Sequence, residues 1–442
     1  MAHNEDTPLL NSELSKKEKF YQSFKELFKS PRDFWLVLCV KIGGFGGFVL
    51  IIIAASIYLT EVLGFSDIET GLIYAGLGLT AFTYSILCGT FPDRFGIRKS
   101  LFIANFSGLL AFVLLIFIRE RYTQIAIMAT LAMLSVAINI PTCKLAIKKY
   151  TSIEARSIAY SMFYVVLFGS AAISGVVVDL VLSLGNEDFE TFRVMFIVGA
   201  VMLCIAIICT YFLRELEFSE TGELERNVEP SETSYWKQTR GVFGLKSFWK
   251  FAGVTGCMVI TRACYYHLEV TLPIYMYRQI EEGAHFGYMI ALHELVMLVS
   301  IPPLTYLVYF FSNYSLLILG GVICSLAPFA LLIEGSYLTV AIFVVGVSFG
   351  EAIHSPRLVE YTMEIAPSGS EGLFLSLAAS PLMLSFIITG VTAGPLLETY
   401  CPEDGEKDCW VIWAYIGGVS FISPFLMLIL RKYLEESPRL KN

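Results

Sequence analysis

The sequence of 442 residues is 56% hydrophobic and only 16% charged, with a mean hydropathy of +0.66. Because soluble proteins carry roughly 25% charged residues, this composition excludes an ordinary soluble domain and predicts a protein embedded in a lipid bilayer. The net charge of −8 argues against nucleic acid as a partner. The chain has neither a phosphate-binding Gly-Lys-Ser/Thr loop nor a His-Glu-x-x-His pair, so we expect no enzyme, no ATP-driven pump, no cofactor and no metal site.

Residues 1–33 are polar and rich in lysine, which predicts a tail outside the bilayer rather than a cleavable signal peptide. Within this tail, Glu5-Asp6-Thr7-Pro8-Leu9-Leu10 resembles the acidic dileucine signals that endosomal and lysosomal sorting adaptors bind. Glu5, Leu9 and Leu10 are its defining positions. Such short patterns also arise by chance, so an endosomal, lysosomal or vacuolar membrane and the plasma membrane all remain open.

Twelve apolar runs follow the tail, each near the roughly 20 residues that a helix needs to cross a bilayer. Residues 214–247 separate the sixth run from the seventh and carry many Glu residues, so they are predicted to form a solvated linker. The pattern predicts an all-α membrane protein with twelve transmembrane helices in two six-helix halves, residues 34–213 and 248–431, before a tail at 432–442. The runs lie at 34–60, 70–91, 101–118, 124–146, 157–183, 193–213, 248–276, 285–310, 315–333, 337–361, 372–397 and 410–430.

The distribution of Lys and Arg between the runs predicts the orientation of the chain. Loops on the cytoplasmic side of a membrane carry an excess of these cations. Both tails are basic, and basic clusters follow the second and fourth runs, so we expect both termini and the linker in the cytoplasm. The clusters between runs are Arg94, Arg98 and Lys99, and Lys148, Lys149 and Arg156.

The loop after the second run reads Gly89-Thr-Phe-Pro-Asp93-Arg94-Phe-Gly96-Ile97-Arg98-Lys99-Ser-Leu101. It resembles the signature Gly-x-x-x-Asp-Arg-x-Gly-x-Arg of the major facilitator superfamily, whose fold has two halves of six helices. The resemblance implies a cytoplasmic gate that consists of Gly89, Asp93, Arg94, Gly96 and Arg98. In such a gate the charged residues form contacts that hold one conformation and break in the other. A loop that is merely basic is the alternative.

The tenth run contains Glu351, His354 and Arg357 within seven positions. Roughly 15 apolar residues precede Glu351, which at about 1.5 Å per residue lies near the middle of the bilayer. An ionisable group there costs about 3 kcal/mol and marks a path for a solute or a proton, although it can also fasten two helices together. The pairs Gly350-Glu351, Ser355-Pro356 and Ala366-Pro367 resemble the corresponding helix of proton-coupled oligopeptide transporters. Where that branch carries Glu-x-x-Glu-Arg in its first helix, this chain has Lys41-Ile-Gly43-Gly44.

Further ionisable residues interrupt the first, seventh and eighth runs. Lys41 is the only charge of the first run, where it either binds an anion or extends to the interface. In the seventh run, Arg262, Tyr266 and Glu269 share one face of a helix, so Arg262 and Glu269 could also pair within the bundle. We predict Lys41, Arg262, Tyr266, His354 and Arg357 as substrate-binding residues. We predict Glu269, Glu294 and Glu351 as proton-coupling residues, because buried carboxylates can titrate near neutral pH.

Cys401 and Cys409 flank a short polar segment between the last two runs. With both termini inside, this loop faces the exterior or a lumen, where disulfides persist, and we therefore predict a Cys401–Cys409 bridge. Two free thiols are the alternative. Most of the other cysteines lie singly in apolar runs and act as small hydrophobic residues.

These residues and resemblances favour a secondary active transporter that moves a small polar organic solute by alternating access. Proton-coupled symport of a peptide-like, amino-acid-like or anionic solute is the first interpretation. Its partners are the solute, protons and the lipid bilayer, and sorting adaptors are candidate partners of the N-terminal tail. A facilitative uniporter of sugars, nucleosides or amino acids is an alternative. A non-transporting membrane receptor or chaperone subunit on the same fold is another. Acid-dependent uptake into proteoliposomes distinguishes them.

Overall fold

Twelve long helices make up most of the described chain. The structure is a computed structural model that describes residues 24–88, 91–152, 155–185, 188–218, 224–226, 244–308, 311–365 and 380–435. The first six helices are α1 (Arg32–Val62), α2 (Asp67–Cys88), α3 (Phe95–Phe117), α4 (Arg121–Tyr150), α5 (Arg156–Leu184) and α6 (Phe189–Tyr211). The last six are α7 (Lys246–Val270), α8 (Phe286–Leu307), α9 (Asn313–Leu332), α10 (Tyr337–Ile365), α11 (Ser380–Tyr400) and α12 (Trp410–Ile429).

The predicted helical membrane fold is confirmed. Within the described residues, ten of these helices are long and apolar enough to cross a membrane, and α7 and α11 are the two that fall short. Arg262 and His267 lower the hydropathy of α7, which a short helix, Leu272–Gln279, extends. Both helices nevertheless pack within the bundle, against helices of the same half and of the other half.

One small departure from a purely helical chain lies in the predicted linker. Strand β1 (Leu216–Phe218) pairs with β2 (Leu224–Arg226) in an antiparallel ribbon, with Glu217 opposite Glu225. Leu216 is buried against the first half, which anchors the ribbon there. The residue limits given above for the two halves, the linker and the tails stay predictions.

Glycines bring the first helix close to its neighbour α6. A Cβ on Gly43 would lie 2.5 Å from the carbonyl oxygen of Met202, and one on Gly47 would lie 3.1 Å from that of Gly199. The same part of α1 contains a π-helical turn at Ile42–Gly46, a feature that is frequent at functional sites. This close packing surrounds Lys41, one residue earlier, with protein rather than lipid.

The two halves meet through two helix crossings, α2 with α11 and α5 with α8. Both crossings pack backbone against backbone. In the first, Gly71 contacts the carbonyl of Gly390, and in the second, Gly175 contacts that of Gly287. We call the end of the molecule with the loops 63–66, 280–285 and 401–409 the distal end. It lies opposite the end at which α1 begins, at Arg32, and α12 finishes, at Ile429.

Polar contacts close the distal end. Arg278, from the short helix after α7, binds Asp67 at the start of α2. Asp179, near the end of α5, accepts hydrogen bonds from the first backbone amides of α8. Each contact joins one half to the other, so the structure represents a conformation closed at this end.

Candidate functional site

The centre of the second half contains a buried ion pair between α7 and α10. The guanidinium of Arg262 binds Oε1 of Glu351 through Nη1 and donates to Ser355 Oγ through Nη2 at 2.7 Å. Ser355 Oγ donates in turn to Glu351 Oε1 at 3.3 Å, since the two residues lie one turn apart. The side chains of Arg262 and Glu351 are 16% and 9% exposed. Arg262 therefore pairs with Glu351 of another helix and not with Glu269 of its own.

The second oxygen of Glu351 faces a histidine from α8. His293 Nε2 lies 3.5 Å from Glu351 Oε2, and His293 Nδ1 lies 2.9 Å from Ser348 Oγ. Because Ser348 gives its only hydroxyl proton to the carbonyl of Val344, we assign the proton of the neutral imidazole to Nδ1. Nε2 then carries a free lone pair that points towards Oε2. A proton can be held by either atom of this pair.

Two further carboxylates belong to the same cluster. Glu269 accepts a hydrogen bond of 2.8 Å from Tyr265, whose ring packs against that of His293 at a tilt of 40°, with centroids 5.0 Å apart. Glu294 is buried, and its Oε2 has no hydrogen-bond partner among the described residues. It lies within electrostatic range of Glu269 and Glu351. Three carboxylates thus belong to one buried cluster, and Glu351 is the one that binds the guanidinium of Arg262.

The remaining substrate-binding candidates of this half lie around the cluster. Tyr266 packs on Phe386 of α11, with ring centroids 4.2 Å apart. His354 packs against Gly320 of α9, and its Nδ1 has no hydrogen-bond partner in the described part of the chain. Arg357 donates to Glu360 of its own helix at 2.7 Å. The structure therefore brings Arg262, Glu351 and Glu269 near each other, whereas Arg357 pairs one turn further along α10.

Lys41 is a buried cation in the first half. Its side chain is fully buried, and Nζ has no hydrogen-bond partner among the described residues. The ammonium lies 4.3 Å from the ring centroid of Phe45 and 5.4 Å from that of Phe163. The side chain does not extend to the interface. Aromatic faces attract a cation but do not replace a counter-ion, so the site can accept an anion.

The predicted gate loop is described in part. Gly89 lies outside the described residues, as do the side chains of Asp93 and Arg94. Gly96 has φ +79° and ψ 172°, and the amides of Ile97 and Arg98 after it donate to the carboxylate of Glu215, at 3.1 and 2.8 Å. Glu215 thus neutralises the positive end of the helix that starts there.

Sequence reasoning missed several of these contacts. Glu215 belongs to the stretch predicted as a solvated linker, and its only signal is a carboxylate directly after an apolar run. Ser348, Ser355 and Tyr265 were not predicted as site residues, because only the packing of α7, α8 and α10 shows which faces meet.

Two other predictions concern the loop between the last two helices and the N-terminal tail. Cys401 and Cys409 are joined by a disulfide, with their Cα atoms 4.6 Å apart. The sorting motif of Glu5, Leu9 and Leu10 lies outside the described residues.

The fold and the buried charges define a class: membrane carriers with two six-helix halves. A sequence model of the major facilitator superfamily matches residues 34–389. The chain belongs to this superfamily. Family and fold point to a transporter rather than an enzyme.

Several solved structures share the fold. An auto-inhibited peptide transporter of the POT family matches with a TM-score of 0.76 and 10% identity, over 93% of this chain and 99% of that one. A POT family transporter in complex with a thioalcohol-conjugated peptide gives 0.74 and 12%, over 92% and 97%. The same values hold for a POT family transporter in complex with 5-aminolevulinic acid. No curated protein matches the chain significantly.

Proposed function

We propose that this protein is a proton-coupled symporter that moves a small polar organic solute across a membrane by alternating access. The observation that carries the proposal is the arrangement of Glu351 between Arg262 and His293. One oxygen of this carboxylate binds a cation, and the other faces a free imidazole nitrogen. Glu351 can therefore either bind the guanidinium of Arg262 as a carboxylate or take up a proton and give up that bond.

Protonation of Glu351 is the coupling step in this proposal. A neutral carboxyl no longer balances the charge of Arg262, and a buried cation left without its partner costs about 3–5 kcal/mol. Arg262 then favours an anionic group of the solute as its new partner. Solute and proton thus bind together, as symport requires. Glu269 and Glu294 are further proton acceptors, since neither contacts a cation among the described residues.

Lys41 in the opposite half supports a solute with an anionic group. A buried ammonium without a counter-ion is costly, and a carboxylate or phosphonate between the halves would neutralise it. The POT family structures with a conjugated peptide and with 5-aminolevulinic acid suggest peptide-like and amino-acid-like solutes as the first to try. Tyr266, His354 and Arg357 stay candidate contacts for the rest of the solute.

The orientation and the gate complete the proposal. With both termini in the cytoplasm, the loop with Gly89, Asp93, Arg94, Gly96 and Arg98 acts at the cytoplasmic end. Glu215 supports this role because it holds the start of α3. The dileucine motif would direct the carrier to an endosomal, lysosomal or vacuolar membrane, and the plasma membrane remains the alternative.

The test has two stages. A thermal-shift screen of the purified protein against peptides, amino acids, carboxylates, sugars and nucleosides identifies a solute, because a ligand at a hundred times its Kd adds about 2.7 kcal/mol of stability. Uptake of that solute into proteoliposomes is then measured with and without a pH gradient. We expect accumulation driven by the gradient, loss of accumulation in Glu351→Gln, and counterflow exchange retained in that variant.

The exposed-loop variant Glu334→Gln is the matched control, because it makes the same chemical change away from the cluster. It should accumulate solute as the unaltered protein does. Uptake that ignores the gradient would favour the uniporter. A ligand that binds without any uptake would favour the receptor. Gradient-driven accumulation by Glu351→Gln would remove Glu351 from the proton path.

A further inference from the structure

A disulfide-closed loop at the distal end holds Arg278, one of the residues that join the two halves. Cys401 and Cys409 are bonded and both buried. The carbonyl oxygen of Cys401 accepts a hydrogen bond of 2.9 Å from Nη1 of Arg278. Nζ of Lys407, inside the loop, donates to the backbone oxygen of Arg278 at 2.9 Å. The loop therefore fixes both the side chain and the backbone of Arg278.

Arg278 uses its remaining donors to reach the other half. Its Nη1 lies 2.7 Å from Oδ2 of Asp67, and its Nη2 lies 3.0 Å from Oδ1. The two side chains are 10% and 7% exposed, so this bidentate pair is shielded from water. Charge-assisted pairs of this geometry are among the stronger hydrogen bonds in proteins. The pair can persist only while the distal end is closed.

The same loop continues directly from the helix that crosses Asp67. Helix α11 ends at Tyr400, one residue before Cys401. Further back in α11, Gly394 packs on the carbonyl of Asp67, so closely that a Cβ would collide with it. The disulfide, Arg278 and the crossing of α2 with α11 thus form one connected unit, which we call the distal latch.

We propose that the disulfide makes the distal latch sensitive to redox conditions. Oxidised, it keeps Arg278 against Asp67 and favours the closed conformation. A dithiol reductant transfers two electrons and two protons to the bond: the S–S bond breaks, Cys401 and Cys409 become thiols, and the reductant becomes a disulfide. The opened loop no longer holds Lys407 against the backbone oxygen of Arg278, and the carbonyl of Cys401 is then held by the end of α11 alone. The equilibrium then shifts towards a conformation open at the distal end.

Hydrogen–deuterium exchange of the full-length protein in lipid nanodiscs tests this latch without any solute. Peptides over residues 67–74 and 286–291 report the two crossings, and peptides over α9 serve as an internal reference. We expect dithiothreitol to accelerate exchange about tenfold at both crossings, which corresponds to about 1.4 kcal/mol, and to leave α9 unchanged. The second crossing does not touch the disulfide loop in the described contacts, so its response reports opening rather than local loosening.

Three variants sharpen the test. In the double variant Cys401→Ser with Cys409→Ser, the amides at both crossings should exchange fast without reductant, and reductant should not change their rate. Asp67→Asn should also exchange fast, with little further effect of reductant. Glu403→Gln, in the same loop and without a hydrogen bond to Arg278 among the described residues, should behave as the unaltered protein. If a cysteine variant does not fold, the reductant arm alone decides.

Faster exchange that stays within residues 398–413 would overturn the latch and leave the disulfide as a local staple. The inference rests on the proposed alternating access for its consequence in transport. Because no solute is used, a failure here is distinguishable from a failure to transport.

Discussion

At the scale of single residues, the two oxygens of one carboxylate have different partners. Oε1 of Glu351 binds Arg262 and Ser355, whereas Oε2 faces Nε2 of His293. The depth of Glu351 in its apolar run is enough to predict a functional carboxylate. That depth does not predict that Arg262 is the cation bound by Glu351, because the spacing of residues along α7 shows only which of them share a face of the helix.

We expect His293→Asn to flatten the pH dependence of transport. The amide of Asn can keep the contact to Ser348 but has no atom at the position of Nε2, so Glu351 loses its proton-accepting neighbour. Initial uptake rates over a series of external pH values measure the effect. His285→Asn, in the distal loop, is the control. An unchanged profile in His293→Asn would show that the imidazole takes no part in coupling.

Lys41→Met should raise stability and lower the affinity for an anionic solute. Met fills a similar volume, and the substitution removes an ammonium that is fully buried without a hydrogen-bond partner in the described chain. Removal of a buried polar group without a partner should raise the free energy of unfolding by about 1–3 kcal/mol, so the melting temperature should rise by several degrees. Differential scanning fluorimetry with and without the identified solute measures both effects. A lower melting temperature would indicate that Lys41 has a structural partner instead.

At the scale of elements, the start of α3 depends on one backbone conformation and one distant carboxylate. Gly96 lies in a region that only glycine adopts easily, and Glu215 accepts from the next two amides. The sequence signature identifies the glycine, because its position in the loop motif is readable. Glu215 could not be identified from the motif, since it lies beyond α6.

Gly96→Ala should therefore destabilise the protein by about 1–3 kcal/mol. The added Cβ strains the backbone and approaches the carboxylate of Glu215, at 2.6 Å from Oε1. Gly76→Ala is the matched control, because Gly76 lies within α2 with open space around it and alanine favours helices there. Thermal unfolding of the two variants is compared with that of the unaltered protein. Equal stability of Gly96→Ala would mean that the loop can rearrange at no cost.

At the scale of the whole molecule, the order of the helices and the superfamily are readable from hydropathy and one loop motif. Hydropathy and the loop motif do not show at which end of the molecule the two halves are closed. Closure at the distal end depends on Arg278 meeting Asp67 and on Asp179 meeting the start of α8. These residues are far apart in the chain, and no local pattern couples them. The small ribbon in the linker was missed for a similar reason, because its strands are only three residues each.

Asp179→Ala should shift the protein towards the conformation open at the distal end. The carboxylate accepts from Gly287 at 3.0 Å and from Tyr288 at 2.6 Å, and the loss of such a cap costs about 0.5–2 kcal/mol. Because the cap exists only while the halves meet, its loss disfavours closure. Deuterium uptake at residues 67–74, in the other crossing, measures the shift.

Asp188→Ala is the control for this prediction. Asp188 caps α6 by accepting from Thr191 at 2.9 Å, within a single half. Its loss should affect local stability without any change at residues 67–74. A similar response of both variants would mean that the exchange reports general loosening.

The glycine crossings have a thermodynamic consequence. Heat-capacity changes arise mainly from apolar surface that becomes exposed to water. At Gly71 with Gly390, and at Gly175 with Gly287, backbone meets backbone and little apolar side-chain area is covered. Separation of the halves at these points should therefore carry a small heat-capacity change. These glycine contacts should therefore add little curvature to the temperature dependence of the balance between the two conformations.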